Sequence, residues 1–217
     1  MKTYQIGIDG PSGVGKSSIA KAICEKLGYI FINTGGMYRC YALALIKNNT
    51  DLNDIEQVLN VLKHNKVTLK QDKLFLNGKD VTKQIADPKV AAMASKIGTI
   101  KEVRQYCVAA QQEIANGINC VMEGRDITSV VLPNATLKVY LDADVNLRAE
   151  RRWKQNGCVE PLEVVKEKII KRDYQDSHRK ESPLIKVPDA FAIYDTGMTI
   201  DEVANVIIDE LKRRIHE

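Results

Sequence analysis

One stretch near the start constrains this chain more than any other. Gly10-Pro11-Ser12-Gly13-Val14-Gly15-Lys16-Ser17 fits the pattern G-x-x-x-x-G-K-[ST] without a gap. Glycines let such a loop wrap so that successive N–H groups point inward. A helix beginning at its end adds partial positive charge to the same cup. The flanks suit that geometry. Tyr4-Gln5-Ile6-Gly7-Ile8-Asp9 alternates apolar residues like a strand, and Ser18-Ile19-Ala20-Lys21-Ala22-Ile23 reads as the start of a helix. Gly10, Pro11, Ser12, Gly13, Val14, Gly15, Lys16, Ser17 and Ser18 are therefore expected to cradle a nucleoside triphosphate. Lys16 would reach the β- and γ-phosphates, and Ser17 would offer its hydroxyl to Mg²⁺. The loop alone leaves open what becomes of the triphosphate.

Strand-like and helix-like segments alternate beyond the loop, which predicts an α/β fold with a mostly parallel sheet covered on both faces. Tyr29-Ile30-Phe31-Ile32 reads as a second strand. Gly35-Gly36 then opens a helix with Met37, Tyr41 and Leu45 at four-residue spacing. Asn119-Cys120-Val121-Met122, Leu137-Lys138-Val139-Tyr140-Leu141 and Phe191-Ala192-Ile193-Tyr194 supply three more strands, making five. Asp144 caps a helix that carries a run of arginines near 150. Thr199-Ile200-Asp201-Glu202 forms a capping box before the last helix, whose Ile200, Val203, Ile207 and Leu211 share a face.

One region breaks the alternation. Val67-Thr68-Leu69 and Leu74-Phe75-Leu76 are short alternating runs followed by the turn signal Asn77-Gly78, and Asp87-Pro88 then starts another helix. Residues 66–95 are accordingly expected to be a small antiparallel β/α insert on a core of residues 1–65 and 96–217.

Bulk composition narrows the function classes. With 217 residues, one domain is expected, and the net charge of +4 reflects a mixed surface rather than a nucleic-acid stripe. No stretch approaches eighteen apolar residues, so no membrane span is expected. Cys24, Cys40, Cys107, Cys120 and Cys158 are odd in number and contain no C-x-x-C pair, which suits reduced thiols in a cytoplasmic protein. The first strand begins at once, so no signal peptide is expected.

A chain committed to a triphosphate needs cations where phosphoryl charge builds up. Three arginine groups offer them: Tyr38-Arg39 at a helix start, Glu123-Gly124-Arg125-Asp126 directly after the third strand, and Arg172, Asp176 and Arg179. Open α/β sheets bind ligands at the carboxyl ends of strands, where the second group lies. Spacings of four and three would put the third group on one helical face if the helix runs that far, with the acid holding the two guanidinium forks. Each group alone is an ordinary surface feature, and together they are what a second anionic substrate needs. Arg148-Ala149-Glu150-Arg151-Arg152, before Asn156-Gly157, reads as a short lid over residues 148–160, with Arg148 and Arg152 on one face.

These residues resemble a known family, the bacterial cytidylate kinases, a branch of the nucleoside monophosphate kinases. The resemblance is carried by the following stretches, in the family's order and over nearly the whole chain: Ile8-Asp9-Gly10-Pro11-Ser12-Gly13, Asn33-Thr34-Gly35-Gly36-Met37-Tyr38-Arg39, Glu123-Gly124-Arg125-Asp126-Ile127, Arg148-Ala149-Glu150-Arg151-Arg152, and the run from Arg172-Asp173-Tyr174-Gln175-Asp176-Ser177-His178-Arg179 to Lys180-Glu181-Ser182-Pro183-Leu184. It implies transfer of a phosphoryl group from ATP to CMP or dCMP with Mg²⁺, on a P-loop NTPase-type five-stranded parallel sheet. The 66–95 insert would enlarge the monophosphate-binding region.

Carried over residue by residue, the resemblance puts Thr34, Tyr38 and Arg39 on the monophosphate and Ser95, Arg104 and Asp126 on the cytosine. Arg125 would hold the acceptor phosphate, while Arg172, Asp176 and Arg179 would hold ribose and phosphate. The cytosine N4 amino group suits an acid such as Asp126, and its O2 and N3 suit a bidentate arginine such as Arg104. Lys16, Arg125, Arg148 and Arg152 would be catalytic, and Glu123 would touch Mg²⁺ through water. The chain departs from the family in three places. Asn33 and Gly36 stand where Asp and Ala are usual, Glu123 where Asp is common, and Thr128-Ser129 where Gly-Thr follows Gly-Arg-Asp-Ile.

No Ser-His or Cys-His pairing stands out, so direct in-line transfer is expected, with the enzyme contributing positioning, charge neutralisation and water exclusion. The rivals are another small-metabolite P-loop kinase and a non-catalytic nucleotide-binding module. A regulatory GTPase would need N-K-x-D, and Asn65-Lys66-Val67-Thr68 lacks the acid. A monomer that binds small nucleotides, with no membrane or nucleic-acid partner, is expected.

Overall fold

A computed structural model describes residues 3–70, 73–195 and 197–216. Its Cα packing forms two compact units that divide within the second strand: Met1–Phe31 with Gly117–Glu217, and Ile32–Asn116.

The first unit is built on the five-stranded sheet. In chain order its strands are β1 (Gln5–Asp9), β2 (Ile30–Asn33, which straddles the division), β6 (Cys120–Gly124), β7 (Leu137–Ala143) and β8 (Phe191–Asp195). Their spatial order is β2-β6-β1-β7-β8. β1 pairs in parallel with both β6 and β7, and β7 in parallel with β8. β1 is central and fully enclosed, so Ile6 and Ile8 are both buried in the core. α1 (Lys16–Leu27) and α8 (Ile200–His216) pack together, and Ile19, Ile23, Val203, Ile207 and Leu211 join Val121, Val139 and Leu141 in one apolar cluster. α8 starts as its sequence predicts. Glu202 accepts the Thr199 backbone N–H at 2.8 Å, and Thr199 Oγ1 accepts the Glu202 N–H at 3.2 Å. α6 (Val145–Gln155) is capped by Asp144, which accepts the Asn146 N–H, and packs against α7 (Leu162–His178).

Among the described residues the second unit holds a three-stranded antiparallel sheet and four α-helices. The strands are β3 (Val67–Lys70), β4 (Lys73–Leu76) and β5 (Lys79–Asp80), in spatial order β3-β4-β5. Asn77 and Gly78 join β4 to β5 with φ of 51° and 76°, the left-handed pair that a tight hairpin turn demands. The helices are α2 (Thr34–Lys47), α3 (Ile55–Lys63), α4 (Pro88–Ile97) and α5 (Lys101–Ala115). Asp87 caps α4 through the Lys89 N–H, with Pro88 in its first turn. The compact unit is wider than the 66–95 stretch singled out by sequence and contains it, because α2 packs on α4, α3, α5 and β4.

The Asn33 and Gly36 departures have a structural account within this unit. The Asn33 side-chain oxygen accepts the Gly36 N–H at 2.8 Å, so a neutral side chain performs the cap at the start of α2. A Cβ on Gly36 would come within 2.3 Å of the Leu74 methyl from β4, so the glycine makes room for that leucine. The cysteines are free thiols, four of them buried. Burial pushes the thiols of Cys40 and Cys120 up to about 12, which leaves them unreactive at neutral pH. Among the described residues no helix is long and apolar enough to cross a membrane.

Candidate active site

The phosphate loop connects the end of β1 to the start of α1, as its pattern requires. A side chain at Gly10 is impossible, since a Cβ there would lie 2.1 Å from the Leu141 carbonyl oxygen of β7. Gly13 has φ of 78°, and its Cβ would come within 2.9 Å of the Arg148 carbonyl oxygen. Lys16 opens α1 with its side chain folded into the loop, where Nζ donates to the carbonyls of Gly10 at 2.7 Å and Pro11 at 2.8 Å. Burial, reinforced by the nearby positive charge of Arg125, holds the Lys16 ammonium down at about 7. The loop thus encloses a poorly hydrated cation that an anion would stabilise.

The register of β1 and β6 sets Asp9 opposite Gly124, which places the Gly-Arg-Asp turn beside the loop. Ser17 Oγ donates to Glu123 Oε1 at 2.9 Å. A hydroxyl and a carboxylate brought together in this way form a hard-oxygen pair of the kind Mg²⁺ takes alongside phosphate oxygens. Among the described residues no three His, Cys, Asp or Glu side chains gather as a metal cage. A cation delivered with a triphosphate does not need one.

The Gly-Arg-Asp turn is tied to the end of α7 by two ion pairs. Arg125 Nε donates to Asp176 Oδ2 at 2.7 Å, and Asp126 faces Arg179 Nη2 at 3.5 Å. Arg172 Nε shares the Asp176 carboxylate at 3.1 Å. Burial pushes the Asp176 carboxyl up, but the guanidiniums of Arg125 and Arg172 outweigh it and hold the group below the usual range.

The common helical face drawn for Arg172, Asp176 and Arg179 needs correction. α7 ends at His178, and Arg179 is extended, with φ of −65° and ψ of 143°. Arg172 and Asp176 share the face. Arg179 leaves it, donates to the Ser182 carbonyl at 2.7 Å and so comes to lie against Asp126.

The expected pair of lid arginines proves to be unlike. Arg148 is buried and donates to Ala143 O, Ser12 O and Asp173 Oδ2 at 2.9, 2.9 and 2.5 Å. Arg152, one turn on, is half-buried and donates to Gln155 Oε1 at 3.0 Å. The α6 end turns at Gly157, with φ of 73°, and Trp153 Nε1 donates to the Glu160 carbonyl at 2.7 Å.

Three residues outside the expected set shape this half of the site. Asp9 is fully buried at the end of β1 and accepts the Ile127 N–H, the Thr128 N–H and the Thr128 hydroxyl at 2.9, 2.7 and 2.7 Å. Burial raises its carboxyl above the usual range, against the pull of those donors. The Thr128 departure is therefore an added hydrogen bond that stiffens the turn. Gly7 accommodates it, since a Cβ on Gly7 would come within 3.2 Å of the Thr128 methyl. A single π-helical turn over Ile127–Val131 follows. The third residue, Asp173, joins the loop to Arg148. Its signal in sequence was a second acid, three residues before Asp176, in a segment already rich in paired charges.

The second unit carries its own group of expected residues. Thr34 is buried at the first position of α2, and Tyr38 and Arg39 follow one turn on. Arg104 of α5 is buried, donates through Nη1 to the Gly98 carbonyl at 3.1 Å and lies over the Tyr38 ring at 5.9 Å. Arg39 Nη1 reaches the Ile85 carbonyl at 3.5 Å, and Ser95 is half-buried on α4. Arg104 and Tyr38, expected on the cytosine and on the monophosphate, are thus brought together within this unit.

Comparisons with known proteins agree with the geometry. Solved structures of shikimate kinase from Acinetobacter baumannii and of a gluconokinase from Sinorhizobium meliloti share the fold. Their TM-scores are 0.50 and 0.51, at 15% and 17% identity, covering 98% and 97% of this chain and 94% and 92% of theirs. A curated cytidylate kinase from Ligilactobacillus salivarius is 44% identical, covering all of both chains. One from Streptococcus pneumoniae is 41% identical, covering 99% of this chain and all of its own. The cytidylate kinase family model matches residues 6–213, and the chain belongs to the cytidylate kinase family.

Proposed function

We propose that this enzyme transfers the γ-phosphoryl group of ATP to CMP or dCMP, giving ADP and CDP or dCDP by direct in-line displacement. The observation that carries this reading is the adjacency of the phosphate loop and the Gly-Arg-Asp turn. Ser17 and Glu123 touch across it, and Arg125 is braced beside it by Asp176.

The loop amides and Lys16 bind the triphosphate. Lys16 exchanges its carbonyl partners for phosphate oxygens and neutralises charge that builds up as the γ-phosphoryl group leaves. Arg125 holds the acceptor phosphate, with Arg172, Asp176 and Arg179 supporting phosphate and ribose. Thr34, Tyr38 and Arg39 bind the monophosphate, while Ser95, Arg104 and Asp126 read the cytosine. Arg152, from the 148–160 lid, adds positive charge at the transferring group, and Arg148 acts from its place against the loop. Ser17 and Glu123, the latter through water, hold the Mg²⁺ that accompanies ATP. The ion supplies charge neutralisation on the phosphate oxygens. No strong base is needed, because the monophosphate oxygen is already a competent nucleophile. The reading includes a monomer working in the cytoplasm in pyrimidine nucleotide metabolism, without nucleic-acid or membrane partners.

The test is an acceptor panel of CMP, dCMP, UMP, AMP and shikimate with ATP and Mg²⁺, followed as ADP formation. Turnover with CMP and dCMP well above the other three is the expected result. Preference for another acceptor would overturn the choice of substrate. ATP binding without turnover on any acceptor would make the chain a non-catalytic nucleotide-binding module.

A further inference from the structure

Asp173 has no role in the proposed transfer, yet its carboxylate reaches from α7 to the phosphate loop. Its Oδ1 accepts the Ser12 backbone N–H at 2.8 Å, and its Oδ2 accepts Arg148 Nη1 at 2.5 Å. The same Arg148 nitrogen donates to the Ser12 carbonyl at 2.9 Å, and Arg148 Nε to the Ala143 carbonyl at 2.9 Å. Both backbone polar groups of Ser12 are thereby committed. Gly13, the next residue, lies so close to α6 that a Cβ there would meet the Arg148 carbonyl at 2.9 Å. The side chains of Arg148 and Asp173 are only 9% and 19% exposed, so the ring of hydrogen bonds is largely shielded from water.

We propose that Asp173 is a positioning residue for phosphoryl transfer. With Arg148 it clasps Ser12 and pre-orders the outer shoulder of the phosphate loop, so that triphosphate binding does not have to order a glycine-rich segment. The inference rests on reading this loop as the ATP site. Charge alone predicts the opposite effect. A carboxylate beside a triphosphate repels it, and Arg148 cancels that charge only while the two are paired. Removing Asp173 leaves a net positive loop, which attracts the anion. A loss of affinity on removal therefore reports lost geometry rather than lost charge.

The test compares wild type with D173A and D173N. It measures binding of the β,γ-methylene analogue of ATP by calorimetry without acceptor, and steady-state kinetics with CMP. D173A is expected to bind the analogue at least about tenfold more weakly and to raise the KM for ATP alike, leaving the KM for CMP within about twofold. D173N is expected to fall between, because its amide oxygen still accepts from Ser12 while Arg148 loses its carboxylate partner and keeps the Ser12 and Ala143 carbonyls. Affinity equal to or tighter than wild type in D173A would overturn the proposal, as would an equal rise in both KM values. Amide exchange in the unaltered protein needs no variant to fold: the Ser12 N–H should exchange slowly, and exchange at the free-peptide rate would also overturn it. A D173A binding loss in an enzyme inactive on CMP would sink the substrate reading and leave the clasp standing. Unchanged binding in an enzyme active on CMP would do the reverse.

Discussion

The phosphate loop and the Gly-Arg-Asp turn lie at adjacent strand ends and are stabilised by opposite means. The loop is clasped at Ser12 by the side chains of Asp173 and Arg148 and encloses the buried ammonium of Lys16, whose hydrogen-bond partners are two carbonyls. The turn holds a cation, Arg125, already paired with a buried carboxylate that Arg172 also shares. The carboxylates of Glu123, Asp9 and Asp176 offset only part of the desolvation of that ammonium, so it gains a great deal when an anion arrives. A guanidinium already in an ion pair gains less charge stabilisation and is fixed in direction instead. Within the loop it is thus the Lys16 ammonium that is left to respond to an anion, whereas Arg125 in the turn is fixed in direction beforehand.

That contrast can be broken or sharpened by experiment. The largest effect is expected for R125A. It should lower kcat with CMP by about three orders of magnitude, as loss of an arginine in phosphoryl transfer does, with circular dichroism unchanged. Wild-type turnover in folded protein would remove Arg125 from the acceptor site. K16M should lower kcat by about two to three orders of magnitude.

Lys16 also carries a pH signature that Arg125 should lack. Burial holds its ammonium down at about 7 in the free enzyme, and bound phosphates are expected to raise that value. Below pH 7 the group is charged in both states and affinity is flat. Above pH 7 the free enzyme must take up a proton to bind, so ATP affinity should fall up to about tenfold per pH unit until the bound-state value is reached. Calorimetry at pH 8 in buffers of different ionisation enthalpy should register that uptake, and K16R should abolish it. E123Q keeps the contact to the Ser17 hydroxyl but removes a charge, so the Mg²⁺ concentration for half-maximal rate should rise about tenfold. The smallest effect on turnover is expected at T128A. It deletes a hydroxyl bonded to the buried Asp9 carboxyl and should cost about 1.5–3 kcal/mol in urea unfolding.

The sequence was most legible where structure is local. The triphosphate loop, the three capping signatures, the Asn77-Gly78 hairpin turn and the five main strands taken singly all rest on residues within a few positions of one another. α5 was harder to read because Arg104 and Gln111 are buried on its inner face, which interrupts the apolar stripe that marks a helix. The arginine groups were legible as a set, but their partners were not. Helical spacing placed Arg172 with Asp176 correctly. It failed at Arg179, where the helix ends one residue earlier and the chain turns extended.

By itself, the sequence determined that this chain is a P-loop kinase of the cytidylate kinase family, because that motif shapes its own backbone and the remaining family residues follow in order. Tertiary structure decided how those residues are held. Asp173 meets Ser12 across 161 positions of sequence, and Asp9 meets Thr128 across 119. Such contacts depend on how β1, α6 and α7 pack, and no local pattern of spacing encodes them. Packing assigned Arg148, which by sequence was one of two equivalent lid arginines, to the loop, since only in the fold do Ser12, Ala143 and Asp173 converge on its donors.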